Sequence, residues 1–157
     1  MLCCCSIEHC VVGATLRDIH RHSVDLISEL IARLGIVDAS TAREVSLQGL
    51  YRPYYPHSIG HWLGLDTHDC HGVSSSQRLE EGVVLTIEPG LYLPQHLHTI
   101  PKHYRGIGIR LEDDVVCHSY GPEVLTSKIP IFPDQLEQIV GNGGGPAGDH
   151  ERQGKQG

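Results

Sequence analysis

Apolar positions along the chain follow a helical period first and a strand-like period later. Between residues 15 and 34, apolar side chains recur every three to four positions, the spacing of one helix face. They are Leu16, Ile19, Ile27, Leu30, Ile31 and Leu34. Thr15 followed by Asp18 is a variant of the capping box that begins helices, and Gly35 is a residue that ends them. The pattern therefore predicts a helix over residues 15–34.

Shorter patterns follow this helix. We predict a second helix over residues 41–48 and a final one over residues 133–140, which begins at a proline favoured in the first helical turn. Between them lie short apolar runs separated by glycine and proline, a pattern typical of strands. The runs are residues 61–67, 83–87, 91–93, 107–111 and 115–117. Helices followed by strands predict the α+β class, with an antiparallel sheet covered by helices.

The two ends of the chain differ in composition from its centre. Residues 1–12 hold four of the six cysteines, and we expect this Cys-rich lead to be reduced and disordered. Residues 141–157 are rich in glycine and offer almost nothing to bury, so we expect a flexible tail. The folded body is expected to span residues 13–140, the size of one domain.

Charge and hydropathy exclude some functions. The 157 residues include 12 Lys and Arg against 19 Asp and Glu, a net charge of −7. Nucleic-acid binding needs clustered positive charge, so we do not expect it. No apolar run reaches the ~18 residues of a membrane span, and we expect no membrane partner. Twelve histidines with an excess of carboxylates form a composition that can supply metal ligands.

Ionisable side chains interrupt the strand-like part of the sequence in three segments. They are His57, His61 and His68 in PHSIGHWLGLDTHD, Glu88 in LTIEPG, and Arg110 and Glu112 in RGIGIRLEDDVV. Because side chains alternate along a strand, Arg110 and Glu112 point to one face. A carboxylate in an apolar strand is costly to bury unless it is paired or bound to a cation. Glu88 and Glu112 share this problem, and one divalent metal would solve it for both.

A neutral imidazole from His61 would complete a mixed nitrogen and oxygen site, compatible with Mn, Zn, Co or Fe. Such a metal lowers the pKa of a bound water to ~7 and gives a hydroxide nucleophile near neutral pH. His57 and His68 could then move protons or hold a tetrahedral intermediate. Arg110 could orient a carboxylate ligand.

Each of these residues also has an ordinary structural explanation. His57, beside a proline, fits a loop histidine, and Glu88 fits a solvent-facing turn. Arg110 and Glu112 fit an exposed ion pair, worth at most ~1 kcal/mol. The combination of all three segments in short, glycine-punctuated strands is what favours a metal centre.

At these three segments the sequence resembles the metallopeptidases of the pita-bread fold, close to the Xaa-Pro aminopeptidases (aminopeptidase P) and the prolidases. The resemblance extends over about residues 13–140 and includes Gly13-Ala-Thr before the first helix and the final helix near Glu137. The stretch HWLGLD favours aminopeptidase P slightly over prolidase. The resemblance implies the C-terminal half of a pita-bread fold.

The resemblance also implies roles for the site residues. It implies that His61 and Glu88 are ligands of one metal and that Glu112 is a carboxylate bridging two metals. It implies that His57 lies on the substrate side and that His68 stabilises the reaction intermediate. Arg110 would lie beside the bridging glutamate. Members of the family use two metal ions, usually manganese. Their substrates are peptides with proline at the second position. Relatives occur in cytosol and mitochondria, and no targeting segment is visible here, so we expect a cytoplasmic or mitochondrial protein.

The sequence departs from the family in one respect. The family's remaining ligands are two aspartates that precede the helix matched by residues 15–34, and the twelve residues before Gly13 contain no aspartate. We therefore expect at most one well-liganded Mn²⁺ site and a chain that is inactive alone. The sequence would be a C-terminal fragment, a truncated isoform or an incomplete gene model, and a marginal monomer that exposes apolar surface.

Other functions stay open at this stage. The chain could be an Xaa-Pro dipeptidase, or a mononuclear metal protein with another hydrolytic activity. It could also be a non-catalytic fragment that forms a homo-oligomer or pairs with a full-length relative through an uncovered sheet edge.

Overall fold

The computed structural model describes residues 2–37 and 41–141. Its elements in chain order are α1 (Leu2–Ile7), α2 (Leu16–Arg33), α3 (Ala42–Leu47), β1 (Val84–Ile87), β2 (Gly90–Leu93), a 3₁₀-helix (Lys102–Tyr104), β3 (Ile107–Arg110), β4 (Asp113–His118), β5 (Gly121–Val124) and α4 (Pro133–Gly141). The chain divides into two units, Met1–Ser127 and Lys128–Gly157. All elements except α4 belong to the first unit.

The long helix α2 begins and ends where its sequence signals predict. The Thr15 hydroxyl accepts a hydrogen bond from the backbone N–H of Asp18 at 3.1 Å and donates one to the Asp18 carboxylate at 2.7 Å. These bonds satisfy a backbone donor that the first helical turn would otherwise leave free. Gly35 follows the last turn with a φ of +64°, a left-handed conformation that favours glycine. The predicted helix is confirmed.

The two shorter helices are also confirmed. α3 occupies Ala42–Leu47, and the hydroxyl of Thr41 accepts a hydrogen bond from the backbone N–H of Glu44 at 3.1 Å. α4 occupies Pro133–Gly141, one residue longer than predicted.

The strands form two antiparallel sheets. One has three strands in the order β1-β4-β5, and the other pairs β2 with β3. Ile87 at the end of β1 faces Asp113 at the start of β4, and Gly90 at the start of β2 faces Arg110 at the end of β3. The short links that join β1 to β2 and β3 to β4 are therefore brought side by side.

The predicted strand over residues 61–67 is wrong. The structure has only an isolated bridge there, between Trp62 and Leu85 of β1. The reason lies in the following residues, because the Asp69 carboxylate accepts the backbone N–H of Leu65 at 2.7 Å and that of Asp66 at 3.4 Å. Backbone donors held by a side chain in this way form a turn rather than a ladder. β5, by contrast, was not predicted, because its sequence GPEV lacks a strand signal.

The structure also differs from the expected disorder of residues 1–12. Residues 2–7 form α1, and Cys3, Ile7 and Cys10 are buried. Buried cysteine behaves as a small apolar side chain, so this cluster forms part of the core. The expected flexible tail lies, beyond residue 141, outside the described residues.

Two apolar clusters form the interior of the first unit, and α2 contributes to both. One cluster packs α1 and the first turns of α2 against β1 and β4, and includes Ile19, Ile59, Leu85, Ile87 and Val115. The other packs the rest of α2 against β2 and the loops beside it, and includes Ile27, Ile31, Val45, Tyr55, Leu93 and Ile100. None of the helices seen in the described ranges has both the length and the hydropathy to cross a bilayer.

Candidate metal centre

Three predicted ligands lie together in the first unit. His61, Glu88 and Glu112 each offer one donor atom, and these atoms lie within 4.8 Å of one another. Glu88 is buried, with 9% of its surface exposed, whereas His61 is half-buried and Glu112 is exposed. Within residues 2–37 and 41–141, no other group of three His, Cys, Asp or Glu side chains is this close.

The backbone brings these residues together in two ways. Glu88 lies in the β1–β2 link and Glu112 in the β3–β4 link, which the strand register places side by side. His61 lies on a segment that follows the free edge of β1. Its carbonyl accepts the N–H of Thr86 at 2.9 Å, and the carbonyl of Ile59 accepts the N–H of Glu88 at 2.6 Å.

Gly60 permits this close approach. A Cβ atom at residue 60 would overlap the carbonyl oxygen of Thr86, so any other side chain would push the segment away from β1. The spacing between His61 and Glu88 therefore depends on the glycine at residue 60, where the segment that carries His61 contacts β1.

The ring of His61 presents its Nε2 atom to the carboxylates. Its Nδ1 lies 3.1 Å from the carbonyl oxygen of Trp62, which can only accept, so Nδ1 carries the proton. In the neutral imidazole, Nε2 then has a lone pair, 3.4 Å from Oε1 of Glu88. Two electron-donating atoms that face each other fit a cation between them, and a carbonyl that fixes the tautomer is a common arrangement around metal-bound histidines. The donor set thus fits a divalent ion.

Arg110 connects the two carboxylates. Its Nε lies 3.6 Å from Oε2 of Glu88, and its Nη2 lies 3.4 Å from Oε2 of Glu112. The guanidinium therefore offsets part of the negative charge of the pair. The structure places Arg110 beside both carboxylates, whereas the sequence pattern indicated only Glu112.

The other two predicted histidines make different contacts. The ring of His68 packs edge-on against that of His61, with centroids 4.8 Å apart. His57 makes its contacts elsewhere. Its Nδ1 donates to the carbonyl of Ser58 at 2.7 Å, and its Nε2 is 3.0 Å from the hydroxyl of Tyr92.

Two side chains of the site were missed by the sequence analysis. The hydroxyl of Thr86 accepts the backbone N–H of His61 at 3.0 Å and donates to Glu88 at 3.1 Å, so it holds both ligands. The hydroxyl of Tyr92 contacts His57. Thr86 lies two positions before Glu88, so strand alternation places both side chains on one face, whereas the contact of Tyr92 with His57 has no local sequence signal.

A family match and several relatives agree with this geometry. Residues 5–119 match metallopeptidase family M24. Xaa-Pro aminopeptidase 3 of Dictyostelium discoideum is 44% identical over 138 residues, which are 87% of this chain and 26% of that protein. Xaa-Pro aminopeptidase of Escherichia coli is 38% identical over 130 residues, 82% of this chain and 29% of that protein.

Solved structures give the same result. Aminopeptidase P from E. coli with the inhibitor Pro-Leu has a TM-score of 0.81 and 35% identity, and the match covers 90% of this chain and 32% of that one. Proline aminopeptidase P II from Yersinia pestis has a TM-score of 0.79 at 35% identity, over 87% of this chain and 32% of that one.

The fold is that of the pita-bread metallopeptidases. The chain belongs to metallopeptidase family M24, whose model matches most of its length. It spans only about a quarter to a third of the length of these relatives.

Proposed function

We propose that this chain carries part of the site of a metal-dependent Xaa-Pro aminopeptidase, a hydrolase that removes the N-terminal residue before a proline. The observation that carries the proposal is the group formed by His61, Glu88 and Glu112, whose donor atoms lie within 4.8 Å of one another. Family membership and the similarity to Xaa-Pro aminopeptidases support the choice of reaction.

His61 Nε2 and the carboxylates of Glu88 and Glu112 would hold the ion. The bound ion would supply an acidified water and polarise the scissile carbonyl. We propose manganese, which suits a donor set of one imidazole and two carboxylates. Zinc is a useful probe, because a Zn-substituted E. coli aminopeptidase P is among the similar structures.

The other side chains would position the substrate. Arg110 keeps the two carboxylates in place, as its contacts with both suggest. His57, whose ring is fixed by Ser58 and Tyr92, would bind the proline side of the peptide. His68, packed on His61, would stabilise negative charge that develops on the scissile carbonyl oxygen.

We expect one ion per chain. In the part of the chain that the structure describes, three ligands serve one ion and Glu112 alone would be left for a second. Two-metal hydrolysis depends on a pair of ions ~3.5–4 Å apart. This polypeptide, tested by itself, should therefore bind metal without cleaving Xaa-Pro peptides.

The test is a calorimetric titration of Mn²⁺ or Zn²⁺ into the metal-free chain, followed by an assay with an Xaa-Pro peptide. One site should appear in the wild type, should be lost in His61→Ala and should persist in His96→Ala, which removes an exposed histidine outside the group. No binding would refute the metal centre, and two tight sites would refute the ligand count. Turnover that disappears in His61→Ala would refute the expected inactivity.

A non-catalytic role, in which the chain binds a second copy or a longer relative, is the second candidate. It is favoured by β3, whose Ile107 and Ile109 side chains are 50% and 57% exposed at the edge of a two-stranded sheet. An exposed strand edge can pair with another chain. Turnover by the chain alone would count against this role.

A further inference from the structure

The hydroxyl of Thr86 lies between two of the proposed metal ligands. Thr86 belongs to β1, two positions before Glu88, and only 2% of its surface is exposed. Its hydroxyl oxygen accepts the backbone N–H of His61 at 3.0 Å. The same hydroxyl donates its single proton to Oε1 of Glu88 at 3.1 Å, because an ionised carboxylate can only accept. One hydroxyl therefore connects the main chain of one ligand to the side chain of another.

Thr86 binds both polar groups of the His61 main chain. The backbone N–H of Thr86 donates to the His61 carbonyl at 2.9 Å, while its hydroxyl accepts the His61 N–H. Two residues that face each other in an antiparallel ladder exchange both bonds through their backbones. Here the hydroxyl takes the place of one backbone carbonyl, so the position of His61 depends on a side chain of β1.

The carboxylate of Glu88 has a donor beside each of its oxygens. Oε1 accepts the Thr86 hydroxyl and also faces Nε2 of His61 at 3.4 Å. Oε2 lies 3.6 Å from Nε of Arg110, a distance longer than a hydrogen bond, and the Arg110 side chain is 49% exposed. The buried hydroxyl is therefore the closer of the two contacts, and it orients the oxygen that faces the imidazole.

The shape of threonine fixes the direction of this hydroxyl. A side chain branched at Cβ has few accessible χ1 rotamers. Gly60 adds a steric limit, because a Cβ atom there would lie 3.1 Å from Oγ1 of Thr86. Valine has nearly the same shape without the hydroxyl, and serine has the hydroxyl without the branch. These two replacements separate hydrogen bonding from packing.

We propose that Thr86 is a positioning residue of the metal centre, whose hydroxyl couples His61 to Glu88 and holds both at the spacing that an ion needs. The proposal rests on the proposed function and adds a residue that does not touch the ion. A hydroxyl that served the fold alone would stabilise the chain without changing how tightly it binds metal. Metal affinity and the protection of the His61 amide distinguish the two roles.

The first measurement is the Zn²⁺ affinity of the purified chain, by calorimetry. In Thr86→Val the affinity should fall by about tenfold or more, the usual effect of losing a group that orients a metal ligand. Thr86→Ser keeps the hydroxyl and should stay close to the wild type. Ser23→Ala is the control, since it removes a buried hydroxyl of α2 that contacts Tyr55, and it should bind zinc as the wild type does.

The second measurement uses the metal-free chain. Amide hydrogen exchange, followed by NMR, reports whether the His61 N–H is held by its partner. In Thr86→Val this amide should exchange about tenfold faster, the effect of losing one hydrogen bond. Amides in the middle of α2 and the urea midpoint report global stability, and both should change much less.

Each result supports or overturns the proposal. Equal zinc affinity in the wild type and Thr86→Val would overturn it and leave the metal centre in place. If Thr86→Ser binds as weakly as Thr86→Val, the branched methyl group is responsible and the hydroxyl is not. A wild type that binds no zinc would refute the proposed function. In that case, faster exchange of the His61 amide in Thr86→Val would still support the coupling, and unchanged exchange would refute it as well.

Discussion

The cysteines show how strongly local environment changes one side chain. Burial, together with a hydrogen bond of 3.3 Å from its thiol to Asp113, raises the pKa of Cys3 to about 12. Burial also raises the pKa of Cys10 to about 12. Cys4 and Cys70, by contrast, are exposed. The thiolate is the reactive form, so the buried thiols should be inert.

This difference predicts the pattern of alkylation. With iodoacetamide at pH 8, Cys4 and Cys70 should be modified while Cys3, Cys10 and Cys117 stay free until the chain is unfolded in urea. Peptide mapping by mass spectrometry measures each site. Modification of Cys3 in the native chain at the rate of Cys4 would show that α1 does not hold it in the core.

At the residue scale, the sequence indicated the site well where a charged side chain interrupts an apolar run. Glu88 and Glu112 stood out because a carboxylate in an apolar strand is costly to bury, and both lie in the group, although the structure buries Glu88 and leaves Glu112 exposed. Thr86 and Tyr92 did not stand out, because a threonine or tyrosine in a strand is ordinary. Their contacts with His61 and His57 join residues far apart in the chain, which a single sequence does not show.

At the element scale, His118 of β4 is held between Glu123 of β5 and Glu81, which precedes β1. Nδ1 of His118 lies 3.1 Å from Glu81, and its Nε2 lies 3.0 Å from Glu123. The hydrogen bond with Glu81 raises the pKa of His118 above its usual 6.5. The same bond lowers the pKa of Glu81 below its usual 4.5.

These shifts predict how the stability of the sheet depends on pH. The raised pKa of His118 gives stability that is complete below 6.5 and is lost as pH rises through the folded-state value. The lowered pKa of Glu81 gives stability that is present above 4.5 and is lost as pH falls through its folded-state value. The wild type should therefore exceed His118→Gln in urea midpoint at pH 5.5, and much less at pH 8.5.

His96→Gln is the matched control for this measurement, since His96 is exposed and outside the sheets. Its urea midpoint should follow that of the wild type at both pH values. A difference between wild type and His118→Gln that is the same at pH 5.5 and pH 8.5 would contradict the role of His118.

Helices were the elements that the sequence predicted best. The cap at Thr15 is a local signal, so the sequence alone indicated where α2 begins, and the cap at Thr41 is of the same local kind. The run over residues 61–67 has strand-like composition, but the Asp69 side chain takes its backbone donors and forms a turn. The N-terminal helix was missed because the Cys-rich lead was predicted to be disordered, whereas Cys3, Ile7 and Cys10 are buried in the core.

At the scale of the whole molecule, the candidate site concentrates negative charge in the folded state. Glu88 and Glu112 lie side by side, and Arg110 is the cation that contacts both. An unfolded chain separates the carboxylates, so a divalent ion should bind the folded state selectively. Binding to the folded state alone raises its stability.

Metal should therefore raise the melting temperature. Zn²⁺ at a hundred times its dissociation constant should add about 2.7 kcal/mol to the free energy of unfolding, and EDTA should remove it. Differential scanning fluorimetry with and without EDTA measures the shift. Glu112→Gln should lose most of it, and Glu29→Gln, an exposed carboxylate of α2, should retain it. An equal shift in Glu112→Gln would place the ion elsewhere.

The sequence predicted the general architecture but not its distribution of exposed surface in detail. The α+β class followed from the order of helices and strands, and the resemblance to half of a pita-bread fold followed from three segments. Both agree with the structure. The expected apolar surface is seen at Ile107 and Ile109 of β3. The pairing of β2 with β3 decides which strand forms an open edge. A sequence pattern does not contain such long-range pairing.

The close contact at Gly60 determines how the site would respond to different ions. The segment that carries His61 is fastened to β1 by backbone hydrogen bonds on both sides of this glycine, and these bonds exist whatever the side chains hold. The backbone therefore sets the spacing between the His61 imidazole and the Glu88 carboxylate before a metal ion binds. Exchange of manganese for zinc should adjust side-chain torsions alone and leave the main chain where it is.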